Sequence, residues 1–148
     1  IAAGAPNVET GIYDLRFDGF DRKTVKGGKF QKDPINGDPK IEWHFTLLDD
    51  DGAALYDGGD PVEVDVLTGV GFNVASKTMP AEVKILKALM SEDEFADFVE
   101  GKGVNAADLL GRTVQGEVYI KESGYPGVTN IIAARKRRAS RPRSADAE

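Results

Sequence analysis

The chain is 148 residues long, with 19 basic and 25 acidic side chains, a formal net charge of −6, no cysteine and one histidine, His44. One domain with one core is the default at this length; the lack of cysteine excludes disulfides, thiol nucleophiles and cysteine-held metal sites, and a lone histidine excludes a two-histidine metal site. No apolar run reaches the ~18 residues of a membrane helix and no signal peptide is legible, so a soluble, intracellular protein is expected.

Seventeen glycines and seven prolines favour a turn-rich β fold over a helical bundle. Residues 1–10 read as an N-terminal extension. Over 11–20, Tyr13, Leu15 and Phe17 alternate with Asp14, Arg16 and Asp18, the period of a half-buried strand. Residues 21–39 are polar, with turn signals at Asn36-Gly37 and Asp38-Pro39, and read as one long loop or splayed hairpin tip. The second strand, over 40–48, places Ile41, Trp43, Phe45 and Leu47 on one face and Glu42, His44 and Thr46 on the other. Asp50-Asp51-Gly52 turns the chain, and Val62, Val64 and Val66 mark a third strand over 61–67.

Helical spacing then takes over. Pro80 opens a helix carrying Val83, Leu86, Leu89 and Met90, Ser91 and Glu94 form a capping box for a second, acidic helix, and Asn105 caps one more turn that Gly111 ends. The fourth strand spans 112–122, with Gly116 marking a bulge or bend, and the fifth spans 128–134. Residues 136–148 form a basic tail expected to be disordered.

The order β-β-β-α-β-β over 11–135 is that of a five-stranded Greek-key barrel of the OB type, with a helical insert between strands three and four. An open five-stranded sheet with one covering helix has the same order. Either way the expected core is Tyr13, Leu15, Phe17, Trp43, Phe45, Val64, Val114, Val118 and Ile132, with Leu86 and Leu89 packed on it.

Charge is unevenly placed. Residues 135–148 carry six bases and two acids, which leaves residues 1–134 at −10. Within that body, residues 22–32 hold five bases and no acid, and residues 49–65 hold seven acids and no base. Catalysis finds little support. Asp49-Asp50-Asp51-Gly52 lacks the spacing and distal glutamate of a calcium loop, and Gly69-Val70-Gly71-Phe72 is neither a P-loop nor a dinucleotide fingerprint. His44 lies on a polar strand face without an obvious partner and reads as a surface residue. No enzyme activity, cofactor or metal is expected.

The basic segment points elsewhere. On an OB barrel the loops between strands one and two and between strands four and five flank the binding face. Arg22, Lys23, Lys26, Lys29 and Lys32 supply phosphate contacts on the first, and Phe30 and, on the second loop, Tyr125 supply ring faces for bases. Arg112 and Lys121 add charge from strand four.

The segments Thr10-Gly11-Ile12-Tyr13, a Lys/Gly loop, and Ile41-Glu42-Trp43-His44-Phe45 resemble the opening of small phage-encoded single-stranded-DNA-binding proteins. Asp108-Leu109-Leu110-Gly111-Arg112-Thr113-Val114 is similar to their approach to the fourth strand, and Tyr125, Gly127, Asn130 and Ile132 match their final hairpin. The resemblance implies an OB-like fold and a role in phage DNA replication or recombination, in the cytoplasm of a bacterial host. Single-stranded DNA bound without sequence preference is then the expected ligand. Replication or recombination proteins and further copies of the chain are the other expected partners, and no membrane. The competing expectation is a structural or interaction module of a phage particle or accessory complex, docking through the barrel; a carbohydrate-binding barrel is a third.

Overall fold

The structure, a computed structural model, describes residues 6–26, 32–33, 35–72 and 79–134. Lys29, Phe30 and the basic tail lie outside the described residues. Five strands form one antiparallel sheet: β1 (Gly11–Val25), β2 (Asp38–Leu47), β5 (Glu63–Thr68), β6 (Thr113–Ile120) and β7 (Pro126–Ala133). Their spatial order is β5-β2-β1-β6-β7. A separate two-stranded ribbon, β3 (Tyr56–Asp57) with β4 (Asp60–Pro61), lies in the acidic connection between β2 and β5 and was not foreseen from the sequence. Among the described residues no helix is long and apolar enough to cross a membrane.

The sheet does not close into a hydrogen-bonded barrel. β5 and β7 are its two edges; they approach each other across the core without forming a ladder. Helix α1 (Ala81–Leu89) lies against β7 and β6, and helix α2 (Glu92–Val99) and a single 3-10 turn (Ala106–Leu109) follow it. The helical insert between the third and fourth long strands therefore stands where the sequence puts it, on an open sheet. The capping box is formed as expected: Ser91 Oγ accepts from the Glu94 N–H, and the Ser91 N–H donates to Glu94 Oε1 at 2.8 Å.

β1 departs most from expectation. It does not end at residue 20 but runs on to Val25, because β2 starts early enough to pair with it as far as Asp38. Leu15 faces Leu47 and Phe17 faces Phe45; then the register slips, and Phe20 faces Trp43 and Arg22 faces Ile41. The slip is a β-bulge at Asp18, whose extra residue exchanges the two faces of the strand beyond it. Before the bulge the odd residues point into the core; after it Phe20 and Arg22 share that face, and Asp21 and Lys23 turn outward. A polar stretch without hydrophobic alternation looked like a loop, whereas the β2 partner extends the ladder through it.

The core is built on this ladder. Leu15, Phe17, Trp43, Phe45, Val64, Val114 and Val118 are buried, as are Leu86 and Leu89 from α1. Phe17 packs on Trp43 and Phe45 with ring centroids 6.0 and 5.7 Å apart. Tyr13 is half-buried at the margin. Ile132 is a correction: it is 55% exposed, and Ile131 is buried instead. A second register slip, between Gln115 and Glu117 opposite Asn130, inverts the alternation of β7, and Asn130 takes a left-handed φ of 53° to accommodate it. Gly116 sits at this slip, and a Cβ there would come within 2.6 Å of Val128 Cγ2 and 2.9 Å of Leu15 Cδ1, so only glycine lets the strands pack this closely.

Trp43 is buried and donates its indole N–H to Thr68 Oγ1 at 2.8 Å, across the β2–β5 ladder. A buried indole donor left without a partner costs about 1–3 kcal/mol. Thr68→Val keeps the volume and removes the acceptor, so it should lower stability by about that amount in urea unfolding followed by tryptophan fluorescence, with an unchanged m-value.

Candidate nucleic-acid interface

The five-stranded sheet offers two surfaces to ligands. On the core-side face, beyond the bulge, an apolar cleft of about 150 Å³ lies between the ladder and the helical insert, lined by Phe20, Arg22, Trp43, Phe72, Phe98 and Val104, among others. Phe20 stands at 5.5 Å from the Trp43 ring centroid and keeps 37% of its surface exposed. An exposed ring beside the exposed Arg22 side chain is thus presented on one face of β1. Phe20 was missed in the sequence because simple alternation puts it on the polar face; only the bulge brings it round.

The expected cations divide by their partners. Lys23 is on the outer face, with its Nζ 2.8 Å from Glu42 Oε1, a pairing whose hydrogen bond raises the Lys23 pKa. Arg22, Lys26 and Lys32 are exposed, and among the described residues their side chains carry no ion pair. Lys32 contributes its backbone N–H to Asp38 Oδ2, and Asp33 accepts from the N–H groups of Ile35 and Asn36, which turns the chain back into β2. Gly37, with φ 81°, completes this turn, and a Cβ there would meet Thr24 Cγ2 at 2.8 Å.

Arg112 does not join this group. Its guanidinium makes a fork with both oxygens of Glu94 and also donates to the Leu89 carbonyl at 3.1 Å. It thereby covers the C-terminal end of α1 and ties α2 to the start of β6, a clamp on the helical insert. Lys121 and Tyr125 face each other across the β6–β7 turn, where the Lys121 N–H donates to the Tyr125 carbonyl at 2.9 Å. Tyr125 is 43% exposed, and Tyr119, unremarked in the sequence, is 44% exposed beside it. A Cβ at Gly127 would lie 2.8 Å from Tyr119 Cζ and 2.9 Å from Lys121 Cε, so the ring and the lysine stem lie down on the bare backbone of that glycine.

The two sets are not adjacent along the sheet. Gly11 pairs with Val118 at one end of β1, and Lys23 pairs with Lys40 at the other. The twelve residue steps from Gly11 to Lys23 are a path of about 40 Å at strand spacing. The cationic β1–β2 hairpin and the tyrosine turn therefore lie at opposite ends of β1 on one sheet.

On the outer face the lone histidine has the partners that the sequence did not show. His44 Nδ1 lies 2.7 Å from Asp65 Oδ1 of β5, and Nε2 lies 2.8 Å from Asp21 Oδ2 of β1 and 3.8 Å from Glu42 Oε1. Partial burial opposes its charged form, but hydrogen bonds to Asp65 and Asp21 outweigh this and raise its pKa. Asp21, Glu42 and His44 each bring one ligand-type atom within 4.8 Å of the others. No sequence separation links Asp21, His44 and Asp65; the strand register alone collects them.

The Arg112 clamp makes a pH prediction. Hydrogen bonds from Arg112, then from the Ser91 N–H, hold the Glu94 carboxyl down at about 2. A carboxylate depressed by folding adds stability that is present above its ordinary pKa and is lost as pH falls toward the folded value. Glu94→Gln should therefore destabilise the protein near neutral pH, with the gap to the unaltered chain closing between about pH 4.5 and pH 2, as read from urea midpoints across that range.

Comparison of the chain with known protein families, with curated proteins and with solved structures found no match.

Proposed function

We propose that this protein binds single-stranded DNA without sequence preference, through an OB-like sheet left open between β5 and β7. The observation that carries the reading is the grouping of Arg22, Lys26 and Lys32, exposed and without an ion pair among the described residues, on the one hairpin that joins β1 to β2; Lys40, Lys84, Lys87 and Lys121 are likewise unpaired but are spread over other elements. Cations that track phosphates, with exposed rings for base stacking, are what a sequence-tolerant single-strand site requires. Phe20 beside Arg22 supplies such a ring at one end of β1, and Tyr119 and Tyr125 beside Lys121 supply two at the other. The DNA strand would run between them along the sheet. A place in phage DNA replication or recombination rests on the sequence resemblance alone.

The test is a fluorescence-anisotropy titration with labelled oligo-dT at several salt concentrations. Contacts to about three to five phosphates give a log–log salt slope of roughly −2 to −3.5. Replacing Arg22, Lys26 and Lys32 together by alanine should flatten the slope by about 2, and Lys23→Ala, whose charge already rests on Glu42, should change it less. Tyr125→Ala and Phe20→Ala should each weaken binding by about 1–3 kcal/mol with little effect on the slope. Binding should persist in a chain ending at residue 135. Absence of oligo-dT binding at low salt would overturn the proposal in favour of a docking module.

A further inference from the structure

The outer face of the β1–β2–β5 ladder carries a constellation separate from the cleft and the basic arm. We propose that Asp21, Glu42 and His44 form a binding site for a divalent transition-type cation, zinc being the best fit, with Asp65 orienting the imidazole. The inference is independent of any nucleic-acid role.

The geometry is that of a ligand set. A metal bound at 2.0–2.2 Å by nitrogen and carboxylate oxygen holds neighbouring ligand atoms about 2.9–3.5 Å apart in tetrahedral or octahedral arrangements. His44 Nε2 lies 2.8 Å from Asp21 Oδ2 and 3.8 Å from Glu42 Oε1, and the two oxygens lie within 4.8 Å of each other. Glu42 Oε1 would close on Nε2 by a few tenths of an ångström, and the two carboxylate oxygens would draw together by up to about 1 Å, a movement open to the exposed Asp21 side chain. The second ring nitrogen is already committed: Nδ1 faces Asp65 Oδ1 at 2.7 Å. A carboxylate accepting the Nδ1 proton leaves Nε2 as the metal-binding atom, the arrangement that accompanies most metal-ligating histidines; the cation takes the place of the proton that Nε2 shares with Asp21 Oδ2, which leaves to solvent.

The sheet holds these groups in place. Asp21 pairs directly with Glu42, and His44 with Asp65, on three adjacent strands. The Glu42 and His44 side chains are 20% and 30% exposed and so confined, while Asp21, at 69%, leaves the site open to solvent for entry and for water to fill the remaining coordination positions. One imidazole with two carboxylates suits zinc and its neighbours in the transition series, whereas magnesium and calcium prefer all-oxygen sites. Lys23 is the competitor, since its Nζ holds Glu42 Oε1 at 2.8 Å and must release it.

His44 is the only histidine, so its ring resonances report on this site alone. Titration of the full chain with zinc chloride, followed by long-range proton–nitrogen NMR of the imidazole, should move Nε2 while Nδ1 keeps its proton. Asp21→Asn and Glu42→Gln should each weaken zinc binding at least about tenfold, and Asp65→Asn by about 10–100-fold, with unchanged circular dichroism. Lys23→Met should strengthen it. Magnesium chloride should leave the ring unmoved. His44 resonances unaffected by excess zinc, zinc attached at Nδ1, or equal affinity in an Asp21→Asn, Glu42→Gln double variant would overturn the site.

Discussion

The rest of the molecule depends on the bulge at Asp18. A strand has two faces and a strict period of two, so one inserted residue exchanges everything beyond it. Its cost is an interrupted ladder, and the side chain of Asp18 offsets it locally: Arg16 Nε donates to Oδ1 at 2.9 Å and the buried Thr46 hydroxyl donates to Oδ2. Because of the bulge, Phe20 continues the aromatic row of Phe17, Phe45 and Trp43, and Arg22 follows it to the edge of the apolar cleft. Asp21, which an unbroken strand would have turned inward with Leu15 and Phe17, joins His44 outside.

Packing and polarity are coupled through the same ladder. Trp43 is the largest buried side chain and the only one of its type, and its indole N–H finds Thr68 because β5 pairs with β2 in the register that sets Trp43 against Val66. That register also sets His44 against Asp65 on the other side of the sheet. One strand pairing thus satisfies the buried donor and builds the charged cluster. A slip of one residue would lose both.

Charges on the surface divide by their partners. Several acids serve structure: Asp33 and Asp49 accept backbone N–H groups in turns, Glu94 closes a capping box and receives the Arg112 fork, and Asp18 holds the bulge. Cations bound to these acids are spent on the fold and add little outward field. The unpaired positive charge is therefore smaller than composition suggests, and among the described residues Arg22, Lys26 and Lys32 bring three such side chains to one hairpin. An acidic body is compatible with such an arm because interactions between exposed charges fade beyond a Debye length of about 8–10 Å.

Local chemistry was legible in the sequence wherever it acts over a few residues. The Ser91–Glu94 capping box, the Asn105 cap, the helical spacing of Val83, Leu86 and Leu89, and the alternation around Trp43 and Val64 all hold in the structure, since each depends on near neighbours in the chain. What the tertiary structure decided lies at positions where one residue changes the phase. The bulge at Asp18 sends Phe20 toward the core and no local pattern announces it; Gly116 did mark the second slip, but not that it would turn Ile132 outward. Likewise the gap between β5 and β7 is a matter of how edges meet, and the partners of His44 come from strands 21 and 23 residues away. Side-chain period is a property of the segment; register is a property of the pair of strands.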